Sequence, residues 1–160
     1  MMIRDLTDAQ QAGQRLMVGF DGTEMSEDLK FLIQKLHVGG MILFARNISN
    51  PEQIRRLCVA VQEYARGCGE PPLFIAVDQE GGVVARLKPP FFTEFQGNPH
   101  MTAVADATAF AEVTARELSK NGINMNMAPV LDVAFNPFQS IMADRSFGTD
   151  PAWVSLLGTA

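Results

Sequence analysis

The chain has 160 residues, of which 47% are hydrophobic and 19% charged, and its formal net charge is -5. That balance suits a folded domain and excludes an intrinsically disordered chain. The acidic surplus leaves no basic field for nucleic acid phosphates. No apolar run approaches the ~20 residues of a membrane-spanning helix, and the opening MMIRDLTDAQ lacks the apolar stretch of a secretory signal. Cys58 and Cys68 make neither a disulfide framework nor a metal spacing, and two histidines, His37 and His100, are too few for a His-rich metal site. The expectation is a cytoplasmic protein without metal or cofactor.

In chain order, Thr7 to Leu16 reads as a short lead-in helix with Thr7 or Asp8 near its N-cap. Leu16–Phe20 is a first strand, broken by Asp21-Gly22. Glu24 to Leu36 places Leu29, Leu32, Ile33 and Leu36 at helical spacing and ends before Gly39-Gly40. Met41–Phe44 is a second strand, continuous and apolar as buried parallel strands are. Asn50-Pro51 opens a helix whose apolar face is Ile54, Leu57, Cys58, Val61 and Tyr64, and Gly67 and Gly69 stop it. Leu73–Val77 is a third strand, followed by a loop from Gln79 to about Pro99. Thr102 to Asn121 is an alanine-rich helix closed by Gly122. Ile123 to Val130 is a fourth strand, with Asp132 at its end. A polar loop then leads to Asp150-Pro151, the start of a last helix.

The order β-α-β-α-β-α-β-α implies a parallel sheet in an α/β architecture, in one domain spanning residues 1–160. A doubly wound, flavodoxin-like sheet would need a phosphate or flavin loop after strand one, and Asp21-Gly22-Thr23 is a poor candidate. A (β/α)8 barrel gathers polar residues at the C-terminal ends of its strands. Asp21, Arg46-Asn47, Asp78-Gln79-Glu80 and Asp132 each follow a strand in that way. A barrel needs eight units, typically about 250 residues. Four strands therefore predict an incomplete half-barrel with two unpaired sheet edges, which could pair with a second copy.

The segment Val77-Asp78-Gln79-Glu80-Gly81-Gly82 carries the strongest chemical signal. Two carboxylates stand at a strand end before a glycine pair that lets the backbone turn sharply. They can accept hydrogen bonds from sugar hydroxyls or act as acid and base; the structural alternative is a strand cap. Arg86 and Arg145 lie in loops after strands, where a guanidinium fork can bind oxygen-rich ligands or pin the loop through a salt bridge. Arg46 and Asn47 either reach across the sheet end to Asp78 or turn the chain. Asp132 reads as a buried brace for its loop, with substrate binding as the alternative. His37 reads as a helix-terminal cation, Cys58 as a buried thiol.

Four ordered segments carry a family resemblance that runs from about Gln14 to the end. They are Met17-Val18-Gly19-Phe20; Gly39-Gly40-Met41-Ile42-Leu43-Phe44-Ala45-Arg46-Asn47; Ala76-Val77-Asp78-Gln79-Glu80-Gly81-Gly82 with Arg86; and Ala128-Pro129-Val130-Leu131-Asp132-Val133 with Asp144-Arg145-Ser146-Phe147. Together they resemble the N-terminal barrel domain of glycoside hydrolase family 3, in its β-N-acetylhexosaminidase branch. The resemblance implies that Asp78 binds hydroxyls of the sugar before the scissile bond and that Arg86 and Arg145 contact the same sugar. Glu80, Arg46, Asn47 and Asp132 would support them. Val83 departs from the family, which carries arginine directly after the glycine pair.

The family mechanism is retaining: an aspartate nucleophile forms a glycosyl-enzyme that water then releases. In this branch a histidine on a mobile loop, in a Lys-His-x-Pro-Gly-His-Gly type of motif, is the acid and base. Neither that loop nor a later nucleophile-bearing strand is found among the 160 residues. The expectation is a small carbohydrate ligand, a partial sugar site, no complete catalytic set and little or no hydrolysis by this chain alone. The branch also suggests recycling of cell-wall amino sugars.

Overall fold

The computed structural model describes residues 6–136, 138 and 140–160. The elements in order are α1 (Asp8–Gly13), β1 (Met17–Val18), α2 (Glu27–Gln34), β2 (Gly40–Leu43), α3 (Pro51–Gly67), β3 (Phe74–Val77), α4 (Val104–Lys120), β4 (Met125–Asn126) and α5 (Pro151–Gly158). The strands form one sheet in the order β1-β2-β3-β4. The β1–β2 and β2–β3 pairs are parallel, with Met17 opposite Gly40 and Gly40 opposite Phe74. The predicted α/β architecture is therefore present, with sequential parallel strands joined by helices.

The helix starts follow local chemistry. The Thr7 hydroxyl accepts from the Gln10 N–H while the Gln10 side chain accepts from the Thr7 N–H, a reciprocal cap. Asn50 accepts from the Gln53 N–H ahead of Pro51, and Asp150 accepts from the Ala152 N–H ahead of Pro151. α2 begins three residues later than the spacing alone suggests, because Ser26 caps it, its hydroxyl accepting from the Leu29 N–H. α1 is also shorter than expected and ends at Gly13. A side chain at Gly13 would strike the Leu36 carbonyl at 2.1 Å, so only glycine lets this turn lie against the α2–β2 connection.

The chain divides into two compact units, one holding the chain up to Val77 and Leu118–Met125, the other Asp78–Glu117 and Asn126–Ala160. In the first, Met41 and Leu43 of β2 and Ile75 and Val77 of β3 are buried, as are Leu29 and Ile33 of α2 and Ile54, Leu57 and Val61 of α3. Strand side chains alternate between faces, so residues 41, 43, 75 and 77 mark the helix-covered face. Phe74 is 59% exposed and Met17 37%; in register with Gly40 they mark the exposed end of the opposite face, on which Ala76 is buried. Contrary to the expectation from the sequence, His37 does not end a helix. α2 stops at Gln34, and His37 sits beyond it in a left-handed conformation, φ 54°, with Nδ1 2.7 Å from Glu70 Oε1.

In the second unit Met101, Ala107, Phe110, Phe147, Val154 and Leu157 form a core, and Phe95 meets Phe110 edge-on at 5.1 Å. The loop that carries Phe95 and the loop that carries Phe147 are thus anchored in the same core.

The fourth strand is the main departure. It spans Met125–Asn126 alone, where an apolar run had suggested Ile123 to Val130. Pro129 brings no N–H to a ladder, and Leu131 is half exposed. Asp132 consequently does not end a strand and is exposed rather than buried.

Candidate functional site

β3 delivers Asp78, Gln79 and Glu80 at its C-terminal end. Asp78 Oδ2 accepts from Arg86 Nη2 at 2.9 Å, with both side chains about one-quarter exposed. Glu80 Oε2 accepts from Arg145 Nε at 2.9 Å and Oε1 from Nη2 at 2.5 Å. This is the two-pronged geometry that suits a planar guanidinium. Glu80 is 4% exposed and Arg145 32%, so the acid is the buried anchor and the base faces outward. The hydrogen bonds to Glu80 raise the Arg145 pKa, and the negative charges of Asp78 and Asp132 add to the effect. Arg145 Nη1 also lies 3.5 Å from the Met142 sulfur.

The glycine pair makes the turn that brings these groups together. Gly81 and Gly82 both have positive φ, 82° and 59°. A Cβ on Gly82 would lie 2.5 Å from the Gln96 carbonyl oxygen, so the position admits no side chain. The turn folds back so that the Glu80 N–H donates to the Val84 carbonyl at 2.9 Å, and the Gly82 N–H donates to Phe95 O at 2.8 Å.

Gln79 was not singled out from the sequence, nor was Asn126. Gln79 is buried. Its Oε1 accepts from the Arg86 and Leu87 N–H groups, both at 2.9 Å, and its Nε2 donates to Leu87 O at 3.0 Å. Asn126 Oδ1 accepts from the Gln79 N–H, and Asn126 Nδ2 donates to Gln79 O, each at 3.0 Å. The available signal was the spacing Asn124-Met125-Asn126, two amides on one side of a short strand. Asn124 makes the same double contact on Ile75 N–H and Leu73 O.

Arg46 and Asn47 belong to the first unit, and their bonds resolve the alternatives left open above. Asn47 is fully buried and donates to Phe20 O at 3.1 Å and Gly22 O at 2.8 Å, while its Oδ1 caps the Phe44 N–H. Arg46 Nε lies 2.7 Å from Asp21 Oδ1 and 3.0 Å from Phe20 O, with its guanidinium over the Phe44 ring. Both residues tie the turn after β2 to the turn after β1, with Arg46 paired to Asp21.

Asp78, Glu80, Arg86 and Arg145 thus form two adjacent ion pairs, partly open to solvent. Such a group offers carboxylate acceptors and guanidinium donors with little net charge, which suits a neutral polyhydroxyl ligand. Among the described residues no three His, Cys, Asp or Glu side chains cluster as a metal site, and no helix is long and apolar enough to cross a membrane.

Residues 7–160 match the family described as the glycosyl hydrolase family 3 N terminal domain. The chain is 38% identical to "Beta-hexosaminidase A" of Pseudoalteromonas piscicida, over 97% of this chain and 30% of that protein. It is 40% identical to a solved glycoside hydrolase family 3 β-N-acetylglucosaminidase from Paenibacillus sp. str. FPU-7, with a TM-score of 0.91 over 96% of this chain and 30% of that one. It is 31% identical to NagZ from Neisseria gonorrhoeae in complex with N-trifluoroacetyl-D-glucosamine, with a TM-score of 0.75 over 90% of this chain and 44% of that one. The chain therefore spans between 30% and 44% of the length of these relatives. The parallel α/β units, the ordered motifs and the match over nearly the whole sequence converge: this chain belongs to glycoside hydrolase family 3, in its N-terminal domain.

Proposed function

We propose that these residues are the first four βα units of a barrel and supply the sugar-binding groups of a retaining β-N-acetylhexosaminidase. The observation that carries this reading is the pairing of Asp78 with Arg86 and Glu80 with Arg145 on loops that follow β3 and β4. Asp78 accepts from sugar hydroxyls, and Arg86 and Arg145 donate to ring substituents of the same sugar. Glu80 holds Arg145 in place. Arg46 and Asn47 shape the neighbouring loops, and Asp132, being exposed, adds an acceptor at the site's margin. The similarity to β-N-acetylglucosaminidases and to a NagZ crystallised with an N-acylated glucosamine analogue supports an N-acetylglucosaminide as the ligand class.

Retaining hydrolysis needs a nucleophile and an acid/base. No histidine here stands in a Lys-His-x-Pro-Gly-His-Gly setting: the two present are His37, hydrogen-bonded to Glu70, and His100, in a surface turn. The 160 residues therefore bind and orient a sugar without cleaving it, in a cytoplasmic role of amino-sugar recycling. A second reading, self-association, is favoured by the exposed Phe74 at the start of β3 and by the edge strands β1 and β4. The test is to incubate the purified chain with p-nitrophenyl N-acetyl-β-D-glucosaminide and to record saturation-transfer NMR with the methyl glycoside. The expected result is transfer without nitrophenol release. Appreciable turnover, or no transfer, would overturn the reading.

A further inference from the structure

Gln79 occupies an unusual position in the loop that carries Asp78, Glu80 and Arg86. Both of its backbone polar groups are taken by one side chain, Asn126, whose amide acts as one more rung where the two-residue strand β4 gives out. Its own amide then holds the backbone seven and eight residues on, at Arg86 and Leu87. The two grips are in series. Asn126 fixes where residue 79 lies, and residue 79 fixes where the Arg86 backbone lies. Asp78, the carboxylate that receives the Arg86 guanidinium, is the residue directly before the clamp.

We infer that Gln79 and Asn126 are positioning residues, which set the Asp78–Arg86 pair at the spacing that receives the sugar. The inference rests on the sugar-binding reading given above. Three features argue for positioning over mere packing. Gln79 directs its amide, oxygen and nitrogen both, at backbone groups of the loop that bears Arg86. A buried N–H without an acceptor is costly, so the Arg86 and Leu87 amides have one place to go while Gln79 is present. The Gln79 amide is a contact that returns residues 86 and 87 to the strand end. Gly81 and Gly82 have no side chains, and the short Gly81–Val84 bridge closes the turn before Arg86 is reached.

The clamp predicts that a change at position 126 is felt at residues 86 and 87. The experiment is amide hydrogen exchange by NMR on the 160-residue chain, with N-acetyl-D-glucosamine titrated into the same samples. In Gln79→Met, exchange at Arg86 and Leu87 speeds at least tenfold and sugar affinity falls at least tenfold, while exchange at Met41 and Ile75 in the sheet is unchanged. In Asn126→Ala, exchange speeds at Gln79 and, through it, at Arg86 and Leu87. Asn126→Ala leaves the Gln79 amide itself in place, and so reads the coupling even if the Met variant folds poorly. Unchanged exchange at Arg86 and Leu87 in Asn126→Ala would overturn the inference. Sugar affinity unmoved by Gln79→Met would also overturn it and leave the sugar reading standing. Coupled exchange in a chain that binds no sugar would overturn the sugar reading and leave the clamp itself intact.

Discussion

Glu80 and Arg145, 65 residues apart in sequence, are joined by two parallel hydrogen bonds at 2.9 and 2.5 Å. The loop after β3 and the loop that follows β4 are thereby closed on one another by a nearly buried acid and a one-third exposed base. Arg145→Met should leave the Glu80 carboxylate buried without its partner and cost on the order of 3 kcal/mol. Glu80→Gln keeps an acceptor for one of the two bonds and should cost less, about 1–2 kcal/mol. Urea denaturation measures both. A loss below about 1 kcal/mol for Arg145→Met would mean that the pair behaves as a solvated surface bridge.

That pairing was not legible in the sequence, and the reason is physical. Each arginine had two plausible uses, and the choice between ligand and salt bridge depends on which carboxylate the fold brings near. The helix caps at Asn50-Pro51 and Asp150-Pro151 were legible because they are settled within three residues. The strand over Ile123 to Val130 was over-read for the opposite reason. An apolar run reads alike whether it pairs in a sheet or crosses the end of one, and Asn126 ends the pairing with its side chain. Asp132 inherited the error, and is exposed where a strand end would have buried it. The family motifs did reach across these distances, since Asp78 with Arg86 and Glu80 with Arg145 are drawn from the segments that carried the resemblance.

Gly82→Ala tests the turn. The position has φ 59°, and a methyl group would meet a carbonyl oxygen at 2.5 Å. The expected cost is at least ~2 kcal/mol, with sugar binding weakened as Asp78 and Arg86 separate. A variant as stable as the wild type would mean that the loop shifts without penalty.

Cys58 should be chemically silent. It is buried, and that burial pushes its thiol up to about 12, whereas Cys68 is partly exposed. With Ellman's reagent at pH 8, the native chain should release one equivalent and the denatured chain two. Two equivalents from the native chain would contradict the packing of Cys58 against the Gly122 turn.

Asp106 gives a pH signature. The backbone N–H groups of Thr102 and Ala103 donate to its carboxylate and lower its pKa in the fold. A lowered pKa means stability that is present above the unfolded value, about 3.9, and lost as pH falls through the folded one. Asp106→Asn should therefore flatten the acid side of the stability curve below about pH 4. An unchanged acid limb would show that this cap does not contribute.

The most direct measurement is a titration of the isotope-labelled chain with N-acetyl-D-glucosamine, followed by amide and arginine side-chain shifts. The account predicts weak saturable binding, with Kd on the order of millimolar. The largest shifts should fall at Asp78, Arg86 and Arg145, and Asp78→Ala should abolish them. No saturable shift at sugar concentrations on the order of 10 mM, or shifts centred away from these three residues and insensitive to Asp78→Ala, would contradict it.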